Sequence, residues 1–143
     1  MKAKATPLIP FDISNSFAFA STFAAREFNR IRLYLAGTGG TGSWLAQYLV
    51  ISVKTLLDKH PDKTIHITFV DPDTVEPQNV GRQNFCQAEI GRAKAITLAH
   101  RYSAAYGVPI NALQENFTTV IVSHQRHNPY VDLTVFIGCV DND

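Results

Sequence analysis

Six side chains around one polar stretch carry the chemistry open to this sequence. Asp71 and Asp73 begin the run DPDTVEPQNVGRQNFC, Asn79, Arg82 and Gln83 lie within it, and Lys94 follows on the next segment. Two carboxylates two residues apart suit ribose hydroxyls or an oxygen-liganded Mg2+. Arg82 can grip phosphate oxygens with its planar fork, and Lys94 can add a point charge to the same oxygens. Acids for a sugar or metal beside bases for phosphate are what phosphoryl or adenylyl transfer requires, because catalysis there is mostly positioning and charge neutralisation. A hydride-transfer enzyme has no evident need for an arginine and a lysine after its ribose acid. Glu76 and Glu89 read as part of a solvated loop.

Upstream stands the other half of a nucleotide site. Leu33 to Leu49 reads LYLAGTGGTGSWLAQYL, an apolar run, a glycine cluster (Gly37, Gly39, Gly40, Gly42) and an amphipathic segment. Strand, tight turn and helix N-terminus in that order can present backbone N–H groups to phosphate. The G-x-G-G-x-G pattern is weak by itself, since a tight turn without a ligand would read the same way. Asp71 at the end of the next strand follows Gly42 by more than the usual gap of about 20 residues, and the long intervening helix accounts for the excess. These two features serve a dehydrogenase binding NAD(P) as well as an ATP enzyme.

The elements that must position these residues follow from periodicity. Residues 1–30 read as an N-terminal arm with a short helix, and residues 31–143 as one nucleotide-binding domain. Ile31–Ala36 is a strand apolar on both faces apart from Arg32, which favours a central parallel position. Ser43 to about His60 is a long helix with Leu45, Leu49, Val53 and Leu56 on its inward face, widened by Leu57. Ile65–Val70 is the second strand. Gly91–Tyr106 is the second long helix, with Ala95, Leu98, Ala99, Tyr102 and Ala105 inward and Gly107 and Pro109 ending it. Pro109–Phe117 and Leu133–Val140 are two further strands. The alternation implies an α/β, Rossmann-like fold with a mainly parallel sheet, in which ligands sit beyond the strands' carboxyl ends. The glycine turn, Asp71 and Asp141 all fall at such ends.

Composition narrows the function classes. The chain has 143 residues, 45% apolar and 17% charged, and a formal net charge of +1, so charge gives no push toward nucleic acid or an anionic membrane. Its apolar runs are too short to span a membrane. Prolines 7 and 10 and Asp12 interrupt the start, against a secretory signal. Two cysteines far apart form no metal pair and fit a reducing compartment, so a cytoplasmic location is expected. Cys86 and Cys139 read as packed small residues, and Trp44 as helix packing.

The blocks GTGGTGS, VDPDTVEPQNVGRQNF, EIGRAKA and a final VDND, in that order, resemble the ThiF/MoeB family, which includes the adenylyltransferase domains of ubiquitin-activating enzymes. The likeness runs from about Ile31 to Asp143, and its pattern is nearest the ThiF-like proteins of plasmid-associated PRTRC gene clusters. The resemblance implies MgATP-dependent adenylation of a carrier protein's C-terminal carboxylate. The partner it implies is a ubiquitin-like or sulfur-carrier protein with a Gly-Gly tail, and the assembly a homodimer. It assigns Gly37, Gly39, Gly40 and Gly42 to the nucleotide loop, Asp71 to the ribose, Asp73 to the reacting phosphate, and Asn79, Arg82 and Gln83 to the phosphates. Arg82 is then the principal charge stabiliser and Lys94 a phosphate ligand. Asp141 matches the Mg2+-associated aspartate and Asn142 its companion. Proteins of this kind continue past that aspartate with an arginine, a crossover loop and often zinc-binding cysteine pairs. The expectation is therefore a chain lacking the C-terminal part of the family fold and turning over weakly. Two other readings stand beside it: an NAD(P)-binding Rossmann oxidoreductase, and a non-catalytic ATP-binding or dimerising fragment.

Overall fold

The computed structural model describes residues 28–118 and 132–140. Strand β1 (Arg30–Ala36), helix α1 (Gly40–Lys59), β2 (Thr64–Val70), helix α2 (Lys94–Tyr106), β3 (Ile110–Leu113) and β4 (Asp132–Gly138) follow one another, with two short 3-10 turns at Pro77–Asn79 and Gln87–Glu89. The strands form one sheet in the order β3-β2-β1-β4, and every pairing in it is parallel. The expected Rossmann-like α/β architecture is present. The expected N-terminal helix within residues 14–30 falls mainly on residues outside the description, as do Asp141 and Asn142.

The order places a reversal beside β1. From β1 the chain passes through α1 to β2 and through α2 to β3, and then returns past both strands to pair β4 on β1's other side. Neighbouring connections thus leave β1 and enter β4 in opposite senses, which opens a crevice at their carboxyl ends.

Side-chain alternation divides the two faces. Leu35, Ile67 and Phe69 pack against Ala46, Val50 and Val53 of α1 and Ala95, Leu98, Ala99 and Tyr102 of α2. Each valine so buried contributes about 1.5–3 kcal/mol. The stripe on α1 is rotated from the one expected: Ala46, Val50 and Val53 are its buried apolar residues, Leu45 and Leu49 flank it, and Leu56 is exposed. The helix begins at Gly40, earlier than expected, and the sheet accepts small residues where the helix approaches it most closely. Ala105 likewise faces solvent, because the last turn of α2 has run past the short β3. On the other face Arg32 is buried and Nη1 meets Asp132 Oδ2 at 3.1 Å, while Tyr34 stacks on Phe136 and meets the edge of Phe117.

The loop between β2 and α2 is anchored by a second ion pair. Arg101 Nη2 donates to both Glu89 carboxylate oxygens at 2.6 Å, and Nη1 donates to the Asn84 carbonyl at 2.8 Å. The guanidinium also lies over the Phe85 and Tyr102 rings. Cys86, expected to be packed, is exposed. It precedes the second 3-10 turn, and its backbone N–H donates to Glu89 Oε2 at 2.8 Å. Burial alone would raise the Glu89 pKa, but the hydrogen bonds from Arg101 and Cys86 and the Arg101 charge together hold it below the usual value. A carboxylate lowered in the folded state contributes stability above its unfolded pKa and loses it as pH falls through the folded one. Glu89→Gln is therefore expected to cost about 2 kcal/mol at pH 7. The difference should shrink toward zero in urea titrations carried below the folded pKa, and a deficit that persists there would exclude the ion pair as its source.

Candidate functional site

The glycine turn is built by close approach. Gly37 has φ +87°, and a Cβ there would lie 2.6 Å from the Cys139 carbonyl oxygen at the end of β4. Its N–H donates to the Val70 carbonyl at 2.9 Å, and Cys139 N–H donates to the Ala36 carbonyl at 2.7 Å. Gly42, inside the first turn of α1, would place a Cβ 1.9 Å from the Gly37 oxygen. It is the contact between helix and turn, and it lies off the cavity. Around Gly40 the space is open. The first amides of α1 have no acceptors within the helix, so they and the positive end of its dipole face the crevice.

Asp71 fastens this turn to β2. Its Oδ2 accepts the Thr38 N–H at 2.5 Å and the Thr38 hydroxyl at 3.0 Å, and its Oδ1 accepts the Asp73 N–H at 2.9 Å. Both Thr38 and Asp71 are buried. Asp73, in contrast, is mostly exposed, and its Oδ2 accepts from Lys94 Nζ at 2.9 Å. The Lys94 side chain is only 7% exposed. Asn79 is buried; its Oδ1 accepts the Glu76 N–H and its carbonyl accepts the Gln83 N–H, both at 2.9 Å. Gln83 is buried beside Gly39, and its Oε1 has no hydrogen-bond partner among the described residues. Arg82 is exposed, with Nε donating to the Gln78 carbonyl at 3.1 Å. Among the described residues its two terminal nitrogens have no hydrogen-bond partner.

These groups share one cavity of about 480 Å3 at the carboxyl ends of the strands. Gly37, Gly39, Gly40, Asp71, Asp73, Asn79, Arg82, Gln83 and Lys94 all line it, and of the expected site residues within the description only Gly42 does not. Asn116, Phe117 and Val140 complete the wall. They stand at or next to the carboxyl ends of the two last expected strands, and the return of the chain toward β4 brings them to the cavity. Trp44 is half exposed rather than packed, and its indole N–H donates to the Arg82 carbonyl at 3.4 Å. Cys139 is partly buried, which pushes its thiol pKa up and leaves it a poor nucleophile.

Chemically, the wall offers backbone amides and two cations to an anion, an exposed carboxylate to hydroxyls, and the apolar surfaces of Phe117 and Val140 to a flat ring. The space around Gly40 is open, and Gln83 stands beside Gly39. No group of three or more His, Cys, Asp or Glu side chains among the described residues is placed to hold a metal ion. No helix among them is long and apolar enough to cross a membrane.

Comparisons with known proteins bear on the family and the fold. The ThiF family model matches residues 14–142. No curated protein matches the sequence. Among solved structures, one of TcdA (CsdL) is 24% identical over 80% of this chain and 40% of its own, with a TM-score of 0.54. A structure of Escherichia coli MccB with succinimide is 17% identical over 66% of this chain and 26% of its own, with a TM-score of 0.50. A complex of the E. coli tRNA N6-threonylcarbamoyladenosine dehydratase TcdA with AMP is 26% identical over 72% and 37%, with a TM-score of 0.48. The chain thus matches well under half the length of each of these proteins.

The two glycines of the first turn of α1 separate folding from binding. Gly42→Ala is expected to destabilise the fold by more than about 3 kcal/mol, since its Cβ overlaps backbone, and to abolish a cooperative thermal transition. Gly40→Ala is expected to raise stability by up to about 1 kcal/mol while weakening nucleotide binding. Equal melting temperatures for the two variants would contradict this assignment.

Proposed function

This chain belongs to the ThiF family, and from that premise we propose that its cavity binds MgATP and adenylates the C-terminal carboxylate of a carrier protein. The observation that carries the reading is the convergence of the glycine turn, Asp73, Arg82 and Lys94 on one cavity at the β1/β4 crevice. A dinucleotide site would account for the turn and the acid but not for two cations beside them.

The residues divide the work. The amides at Gly39 and Gly40 and the start of α1 receive the phosphate chain. Asp71 holds the turn in shape through Thr38 and keeps acceptor capacity on its carboxylate for the ribose hydroxyls, and Asp73, the exposed acid, lies toward the reacting phosphate. Phe117 and Val140 lie against the purine. A carboxylate oxygen of the carrier attacks the α-phosphorus, the bond from that phosphorus to the bridging oxygen breaks, and pyrophosphate departs with the electron pair, leaving an acyl-adenylate. Arg82 brings its guanidinium to the charge that builds on the α-phosphate oxygens, and Lys94 balances the departing pyrophosphate. Mg2+, when bound, adds further neutralisation of the phosphates; Asp141 is the residue proposed to hold it, with Asn142 beside it. The carrier is a ubiquitin-like or sulfur-carrier protein with a Gly-Gly tail, and the active assembly is a homodimer in the cytoplasm.

Isothermal titration is expected to show binding of ATP with Mg2+ and none of NAD; the reverse result would sink this reading. Arg82→Ala is expected to lower ATP–pyrophosphate exchange by about 100- to 1000-fold, the range for loss of one transition-state donor. ATP affinity should fall by much less, because an interaction made mainly in the transition state leaves ground-state binding nearly intact.

A further inference from the structure

We propose that Asp73 competes with the phosphate chain for Lys94: in the empty site its carboxylate holds the ammonium group that an incoming polyphosphate must take. This rests on the reading of the cavity as an ATP site. The Lys94 side chain is 7% exposed and that of Asp73 63%, and Nζ and Oδ2 are 2.9 Å apart. Both backbones are held. Asp73 N–H donates to Asp71 Oδ1, Lys94 N–H donates to the Asp73 carbonyl at 2.9 Å, and Thr74 bridges to Ala93. The pair can therefore open only by side-chain rotation, and the two partners are unequal in it. Asp73 can swing into water at little cost, whereas a nearly enclosed ammonium needs an anion beside it.

The consequence is an exchange of partners. Asp73 keeps Lys94 aimed into the cavity until a polyphosphate replaces it, and the released carboxylate then turns to water. Asp73 is then a positioning residue as well as a ligand contact. Its negative charge lowers the affinity of the site for phosphate chains. Inorganic tripolyphosphate, which has no sugar, isolates the competition.

A double-mutant cycle on the full chain tests it, with tripolyphosphate binding measured by calorimetry and folding checked by circular dichroism. Asp73→Asn is expected to raise affinity about threefold to fivefold, the scale of a partly exposed ion pair. In a Lys94→Met background the same substitution should change affinity by less than about 1.5-fold, because an exposed charge that has lost its partner acts on the ligand only through screened water. Equal gains in both backgrounds would mean a general field effect and overturn the proposal, as would a loss of affinity in Asp73→Asn alone. Glu76→Gln, which removes another carboxylate of the same cavity, is the control and should resemble the Lys94→Met background. Should Lys94→Met not fold, a structure of the unmodified protein saturated with tripolyphosphate decides: Lys94 away from Asp73 supports the exchange, and an intact pair refutes it. ATP binding with equal gains strikes only this proposal, whereas no binding of ATP or tripolyphosphate by any variant removes the ATP reading together with it.

Discussion

One buried carboxylate sets the geometry on which the cavity depends. Asp71 stands at the end of β2 and accepts from the backbone and hydroxyl of Thr38, in the turn that follows β1, and from the backbone of Asp73. A buried charge is tolerated when hydrogen-bond donors surround it, and here three donors come from the two segments that form the opposite lips of the crevice. Thr38 cannot drift without uncovering Asp71. Asp73 cannot drift either, and through its carbonyl the N-terminus of α2 is held to the same point. The turn, the acidic loop and the second helix are thereby coupled at one residue.

The remaining side chains separate into braces and reaching groups, and burial draws the line. Asn79 and Gln83 are buried and tie the loop together through backbone donors and acceptors. The Asn84 N–H donates to Ser43 Oγ at 3.0 Å and its side chain donates to the Tyr102 hydroxyl at 2.9 Å, so the loop is stitched to both helices. Arg101 and Glu89 close its far end. Against that frame Asp73, Glu76 and Arg82 are the exposed charged side chains of the cavity wall among the described residues. The backbone that carries Arg82 is fixed by the frame, and a rigid support lowers the reorganisation a donor needs when charge develops.

Legibility from sequence followed the range of the interaction. The boundaries of β1 and β2 were readable because an apolar run between polar ends is a local signal. The inward face of α1 was not: a leucine-rich stripe and the Ala46, Val50, Val53 stripe lie close together on the helix, and the choice between them was made by how near the helix sits to the sheet. That distance is set by Gly42 against the Gly37 carbonyl. Cys86 and Trp44 were misread for a related reason. Their types favour burial, but their backbones lie where the loop and helix turn outward, and no neighbour in sequence reports that. Phe117 and Val140 end expected strands, but that they line the cavity beside the glycine turn depended on the strand order.

The residue types and spacings alone pointed to the chemistry: glycines before a helix, an acid pair after a strand, then an arginine and a lysine, a set suited to nucleotide phosphates. Tertiary structure decided where that chemistry meets. The order β3-β2-β1-β4 places the end of β4 against Gly37 and opens the crevice that the cavity occupies. It also decided how the two acids differ. Asp71 and Asp73 are alike in type and two residues apart, yet Thr38, brought to β2 by the pairing of β1 beside it, ties the first into the fold at the cavity wall, while the second stands exposed with Lys94.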